Sequence, residues 1–188
     1  MSVVMPAADQ AVLARREQIV ADLREIVPGE GVIAAERAMR PYESDGLTAY
    51  RQLPMVVVLP ETTDQVSSVL RYCQRNGIKV VPRGAGTSLS GGALPLTDGV
   101  LLGMGKFNRI RDIDFENRVV VAEPGVTNLA ISEAVKDAGF YYAPDPSSQI
   151  ACTIGGNVAE NSGGVHCLKY GMTTNLSLIH ISEPTRRS

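Results

Sequence analysis

The stretch VVPRGAGTSLSGG, Val80 to Gly92, restricts what this chain can become more than any other part of it. A short apolar strand runs into Pro82 and Arg83, and then into a loop where Gly84, Gly86, Gly91 and Gly92 are threaded through Thr87, Ser88 and Ser90. Glycine reaches backbone angles closed to other residues and leaves no side chain over the amides, so successive N–H groups can converge on an anion such as phosphate. A phosphate-bearing cofactor is the first expectation.

Two familiar phosphate loops do not fit the letters. A nucleotide-triphosphatase loop needs a lysine after its last glycine to reach the terminal phosphates, but Gly91-Gly92 leads into Ala93-Leu94-Pro95. A dinucleotide fingerprint GxGxxG opens a helix. Gly84 and Gly86 match its beginning, but Leu89 stands where its third glycine should be, and Gly91, Gly92 and Pro95 would break the helix. What remains is a cradle of amides without a following helix, able to wrap a pyrophosphate.

Around the loop, helix and strand signals alternate. Leu13 to Ile26 has the apolar spacing of an amphipathic helix. PMVVVLP, Pro54 to Pro60, reads as a strand; Thr62 or Thr63 caps a helix that stops at Gly77; IKVVP, Ile78 to Pro82, is the next strand. That order suggests a right-handed βαβ crossover, with the glycine loop at the carboxyl edge where α/β sheets bind ligands. Beyond the loop the pattern turns to hairpins: GVLLGM, IRDID and RVVVAEPG, with a turn at Phe115 to Asn117 and a largely buried strand at Val119, Val120 and Val121. A helix capped by Thr127 or Asn128 runs to Gly139, and the proline-rich YYAPDPSS follows as a connector. The sum is an α+β chain, a small parallel lobe followed by a more mixed one.

A second cluster, PDPSSQIACTIGGNVAENSGG from Pro144 to Gly164, reads as another glycine-, serine- and asparagine-rich loop. Two such loops are costly to order unless they hold something. Asn157 and Asn161 supply amides, Ser147, Ser148 and Thr153 hydroxyls, and the glycines leave space for a flat ring. Taken singly, each loop is equally ordinary surface turn material.

PRGAGTSLSGGA together with PDPSSQIACTIGGNVAENSGGVHCLKYG resembles the FAD-binding domain of the vanillyl-alcohol oxidase and p-cresol methylhydroxylase (PCMH) type, and within it the glycolate oxidase FAD subunits and D-lactate dehydrogenases. The resemblance runs from about Tyr42 to Asn175. It implies two α/β subdomains with FAD between them, the second incomplete here. It places the pyrophosphate on Arg83, Gly84, Ala85, Gly86, Thr87 and Ser88, with Ser90 and Gly91 close by and Pro82 setting the exit of the strand. It lines the flavin and its ribityl chain with Pro144, Asp145, Ser148, Gly155, Gly156, Asn161 and Gly164. Some members link the flavin to a histidine of the first loop; Thr87 stands at about that place, which implies non-covalent FAD. Cys152 is expected to be a packed small residue, His166 to have a structural or flavin-edge role, and Glu160 to be a charge at a helix start. The implied reaction is oxidation of a 2-hydroxy acid, glycolate or D-lactate, with an electron acceptor or partner subunit downstream. The resemblance puts the carboxylate clamp and the base in a later substrate domain, so no catalytic residue and no metal ligand is assigned within residues 1–175. Oxidation of an alcohol or aldonolactone on the same scaffold, or a truncated chain without turnover, are the alternatives.

Composition bounds the setting. With 188 residues, 44% hydrophobic, and 18 Lys+Arg against 20 Asp+Glu, the chain reads as globular, and without a basic run a nucleic-acid surface is not expected. Cys73, Cys152 and Cys167 are odd in number and lack metal or disulfide spacing, pointing to a reducing compartment. Neither a signal peptide nor a membrane span is legible, so the protein is expected in the cytoplasm, attached to the inner membrane at most through a partner. The organisation expected is a helical segment at 1–41, the FAD-binding domain at 42–175 and a tail at 176–188. LSLIHISEPTRRS, which includes His180, matches the translation of a sequencing-library adaptor and is set aside as a scar, so that the natural protein is expected to be longer.

Overall fold

The structure is a computed structural model, and it describes residues 5–177. The set-aside stretch from 178 onward, with His180, lies outside the described residues. The chain divides into two compact units, one up to Lys106 and one from Phe107.

In the first unit the elements are α1 (Gln10–Leu13), α2 (Arg16–Ile26), β1 (Val32–Ile33), α3 (Glu36–Met39), β2 (Val56–Val58), α4 (Thr63–Asn76), β3 (Lys79–Arg83) and β4 (Gly99–Gly103). The amphipathic helix expected at Leu13 to Ile26 is thus two helices, α1 and α2. Thr62 caps α4 by accepting a hydrogen bond from the Gln65 amide at 3.2 Å, and Gly77 ends it with φ of +66°. A residue with a Cβ resists that angle, so the glycine is a true stop signal.

The sheet order is β1-β2-β4-β3, with β2 and β3 both parallel to β4 and β1 antiparallel to β2. GVLLG, expected among the hairpins, is instead the central strand β4, with Val100 opposite Val56 and Val80 and Leu102 opposite Val58 and Pro82. Both its faces are buried, which is why it reads as a continuous apolar run rather than an alternating one. One face of the sheet packs Val56, Val58, Val100 and Leu102 against Ile19, Leu23, Val69 and Cys73 from α2 and α4. Val57 and Leu101 point the other way, to Met39. Burial pushes the Cys73 thiol up to about 11, so it behaves as a small hydrophobe. Pro82 is exposed on β3, an edge strand where a missing N–H breaks no ladder. Because β2, β3 and β4 run the same way, the loop after Arg83 leaves from the carboxyl edge.

The second unit holds the hairpin β5 (Ile110–Asp114) and β6 (Val119–Ala122), then α5 (Asn128–Val135), α6 (Ile154–Glu160), α7 (Cys167–Tyr170) and α8 (Thr173–Leu176). Asp114 accepts the Asn117 amide at 2.9 Å in the turn. Val119 to Val121 is not largely buried: Val121 is exposed and its neighbours are half-buried, the alternation of a two-stranded ribbon with one wet face. Thr127 caps α5, and Gly139 at φ +79° ends the turn that follows it. The stretch IGGNVAE, read as loop, is the helix α6, with Asn161 at φ +51° as its left-handed cap. Glu160 is accordingly at the end of a helix and not at its start.

Candidate functional site

The first glycine loop begins where β3 stops. Among the described residues, no protein acceptor takes a hydrogen bond from the amides of Ala85, Gly86, Thr87, Ser88 or Leu89; within the loop, Ser90 N donates to Ser88 Oγ at 3.1 Å. Buried backbone amides are almost always paired, so a run of free ones belongs at a surface that meets water or an anion. Gly86 and Gly91 have φ of +73° and +78°, angles that turn the chain back on itself and favour glycine. Ala85, Thr87 and Ser90 are exposed, and Gly84, Gly86, Ser88 and Gly91 half-buried. This run of amides and hydroxyls fits a phosphate-bearing group.

Arg83 takes a different place from its neighbours. Its side chain is 8% exposed, and Nη1 donates to the carbonyls of Ser44 at 2.8 Å, Ala93 at 3.4 Å and Tyr42 at 3.5 Å. Burial lowers its pKa, which the negative charge of Asp45 partly offsets. The guanidinium lies directly beneath Gly86, where a Cβ would come within 2.3 Å of it. The strap Tyr42–Leu47 closes the arrangement: a Cβ on Gly46 would stand 2.6 Å from the Ser88 carbonyl oxygen and 2.7 Å from that of Thr87. Asp45 is buried, its Oδ1 accepting the Leu47 amide at 2.9 Å and its Oδ2 unpaired. Sequence reasoning missed Asp45 and Gly46, although an Asp-Gly pair is a turn signal that could have drawn attention to them.

The second motif is laced to the chain between Pro124 and Asn128. Gly155 N donates to Pro124 O at 2.9 Å, Ile154 N to Val126 O at 2.8 Å and Asn128 N to Cys152 O at 3.1 Å. Gly155 lies so close to Pro124 that a Cβ would meet its Cβ at 2.7 Å, and a Cβ on Gly164 would meet the Asp145 carbonyl oxygen at 2.2 Å. Gly156 has ordinary room. Asn157 is buried and donates from Nδ2 to Oδ1 of the equally buried Asn128 at 2.8 Å. Asn161 Oδ1 accepts from the Thr174 amide at 2.9 Å and its hydroxyl at 2.5 Å, holding α8 to the end of α6. Cys152 is buried and Pro144 with it.

What faces outward here is a smaller set. Ser148 is half-buried and its carbonyl accepts the amides of Ala151 and Cys152, both at 2.8 Å. Asp145 Oδ2 lies 3.0 Å from His166 Nδ1, while Asp145 Oδ1 and Thr153 Oγ1 are buried and unpaired. The Tyr141 ring stands edge-on to His166 and Tyr170, with centroids at 6.0 and 6.2 Å. The neighbouring Tyr141 hydroxyl lowers the Tyr170 phenol, and Lys169, 4.9 Å from the centre of its ring, adds to the effect.

The FAD binding domain family matches residues 54–178, which include both motifs. The chain is 57% identical to the glycolate oxidase subunit GlcD of Escherichia coli K12 over 170 residues, covering 90% of this chain and 34% of that protein. It is 35% identical to the D-lactate dehydrogenase of Anaerostipes hadrus over 157 residues, covering 83% of this chain and 33% of that one. Among solved structures, p-cresol methylhydroxylase with substrate bound superposes with a TM-score of 0.70 at 22% identity, over 85% of this chain and 32% of that one. The chain thus spans about a third of the length of the curated relatives it matches. With the family matched over most of its length, the chain belongs to the FAD binding domain family.

Proposed function

We propose that the protein carrying this domain is an FAD-dependent oxidoreductase that converts a 2-hydroxy acid, glycolate or D-lactate, to the 2-oxo acid. The observation that carries this reading is the 57% identity to a glycolate oxidase subunit across most of the chain. The amides of Ala85 to Leu89, with the hydroxyls of Thr87, Ser88 and Ser90, receive the pyrophosphate. Asp145, Ser148, Gly164 and the edge of Tyr141 border the flavin side. Thr87 has a hydroxyl and no imidazole, which supports FAD held without a covalent bond. When bound, FAD supplies the acceptor for the hydride that leaves the hydroxyl-bearing carbon. The protein's task in this region is to bind, orient and exclude water; the carboxylate clamp and the base belong to the two thirds of the relatives' length not spanned here. A separate electron acceptor or partner subunit completes turnover, in keeping with the word subunit in the name of the Escherichia coli relative. No helix of the described residues is long and apolar enough to cross a membrane, and a cytoplasmic protein reaching the inner membrane through that partner is the location proposed.

The test is spectroscopic. A purified protein of the relatives' full length, loaded with FAD, should lose its flavin absorption band under anaerobic glycolate or D-lactate. Bleaching by a phenol or an aldonolactone, with none by any 2-hydroxy acid, would overturn the substrate assignment and leave the cofactor in place.

A further inference from the structure

Arg83 and Asp45 form a charge arrangement that the pyrophosphate reading alone does not use. A buried guanidinium normally meets a carboxylate in a direct, two-pronged pair. Here Arg83 donates to three backbone carbonyls instead, and Asp45, on the strap that provides two of them, acts on it only through space. The Asp45 carboxylate is itself 5% exposed with one oxygen unpaired. The guanidinium thus lies under Gly86 with its charge only partly compensated, directly below a run of free amides. Fields from buried charges are screened far less than those at a surface.

We propose that Arg83 and Asp45 are a buried positioning pair that sets how strongly the glycine loop attracts an anion: Arg83 raises the potential beneath the loop without touching the ligand, and Asp45 moderates it. This rests on the reading that the loop receives a pyrophosphate. The strap gives the device its shape, since Ser44 and Tyr42 hold the guanidinium while Gly46 seats the strap against Thr87 and Ser88. The Leu47 amide needs only one oxygen of Asp45 and no charge, so the negative charge buried here is what a purely structural strap would not require.

The pair makes a prediction opposite to intuition. Asp45→Asn keeps the oxygen that accepts the Leu47 amide and removes the negative charge, so the loop should bind anions more tightly, by about three- to tenfold at low salt. Arg83→Met should weaken binding by at least about tenfold at both high and low salt, since a buried charge is little screened, whereas Arg83→Lys, which keeps the charge, should lose less. The measurement is titration of the protein with FAD, followed by flavin fluorescence, and with inorganic pyrophosphate as competitor, each at two ionic strengths. Thermal unfolding of each unliganded variant reports the structural contribution separately. Tighter binding by Asp45→Asn with an unchanged or lower unfolding temperature supports the pair. Equal or weaker binding by Asp45→Asn, beside saturable binding by the unaltered protein, overturns the pair and leaves the pyrophosphate site standing. No saturable binding of either probe to the unaltered protein overturns the site reading, and the pair with it.

Discussion

The glycines of the first loop and those of the second motif answer different physical demands. Gly86 and Gly91 lie in the left-handed region, and what a Cβ on Gly86 would meet is the far end of the Arg83 side chain. Gly155 and Gly164 keep ordinary backbone angles and lack room: their missing Cβ atoms would run into the Pro124 and Asp145 backbones. The loop uses glycine to turn amides outward and keep them free, whereas the second motif uses it to bring two pieces of chain into contact. Alteration of the loop should therefore separate ligand binding from stability, and alteration of the second motif should lose both together.

The largest effect is expected from Gly164→Ala. With the Asp145 carbonyl oxygen at 2.2 Å from the new methyl, neither partner can yield without moving backbone, and overpacking of this kind costs about 3 kcal/mol. Urea unfolding measures it. A loss smaller than that of Gly86→Ala would break the contrast between the two regions. Next comes Asn157→Ala, which strips the buried Asn128 of its partner; leaving a buried amide unsatisfied costs about 2 kcal/mol. Asn157 is buried and its amide is spent on Asn128, so flavin affinity per folded molecule should change far less than the unfolding midpoint.

The sequence showed the first loop better than the second for the same reason. Gly84 to Gly92 follows an apolar strand and is punctuated by residues whose conformational meaning is local, as are the Thr62 cap and the Gly77 stop. The second motif contains a helix begun by Ile154-Gly155-Gly156, and glycine inside a helix runs against propensity; only contact with Pro124, some thirty residues away, accounts for it. The letters of β4 place it among the hairpins because a parallel strand finds its partners far along the chain, and its neighbours in sequence say nothing of Val56 or Val80. Asp45 and Gly46 are silent in the sequence for the same cause: what they do depends on Arg83, Thr87 and Ser88. The inward turn of Arg83 was equally invisible, since an arginine beside a phosphate loop reads as a ligand contact until its three carbonyl partners are seen.

Gly86→Ala sharpens the contrast at lower energy. A left-handed angle costs an alanine about 1–2 kcal/mol, and part of that is relieved if the loop relaxes. Relaxation would re-aim the free amides, so FAD affinity should fall at least about tenfold, which corresponds to 1.4 kcal/mol or more in binding. A variant that loses stability while keeping full affinity would show that the loop's shape is not what the cofactor reads.

The smallest effect concerns what stands behind the second motif. Glu123, one residue before Pro124, is 3% exposed and accepts hydrogen bonds from Arg109 and Arg111, which hold its carboxyl down to about 2 from an ordinary 4.5. A carboxylate depressed on folding contributes stability above its unfolded pKa, and the contribution is lost as pH falls from about 4.5 toward 2. The effect is modest because both arginine side chains are more than half exposed, at 70% and 58%. Acid should nevertheless loosen β5 and β6 and, through Pro124, the amides of Ile154 and Gly155 that are tied to this segment. Hydrogen-exchange protection factors compared at pH 6 and pH 3 measure this amide by amide, with Glu123→Gln as the control that has no carboxylate to titrate. Protection at Ile154 and Gly155 should drop on acidification in the unaltered protein and by less in the variant. Equal drops in both would mean that the hairpin's acid sensitivity lies elsewhere, and that the second motif keeps its shape without the charge behind it.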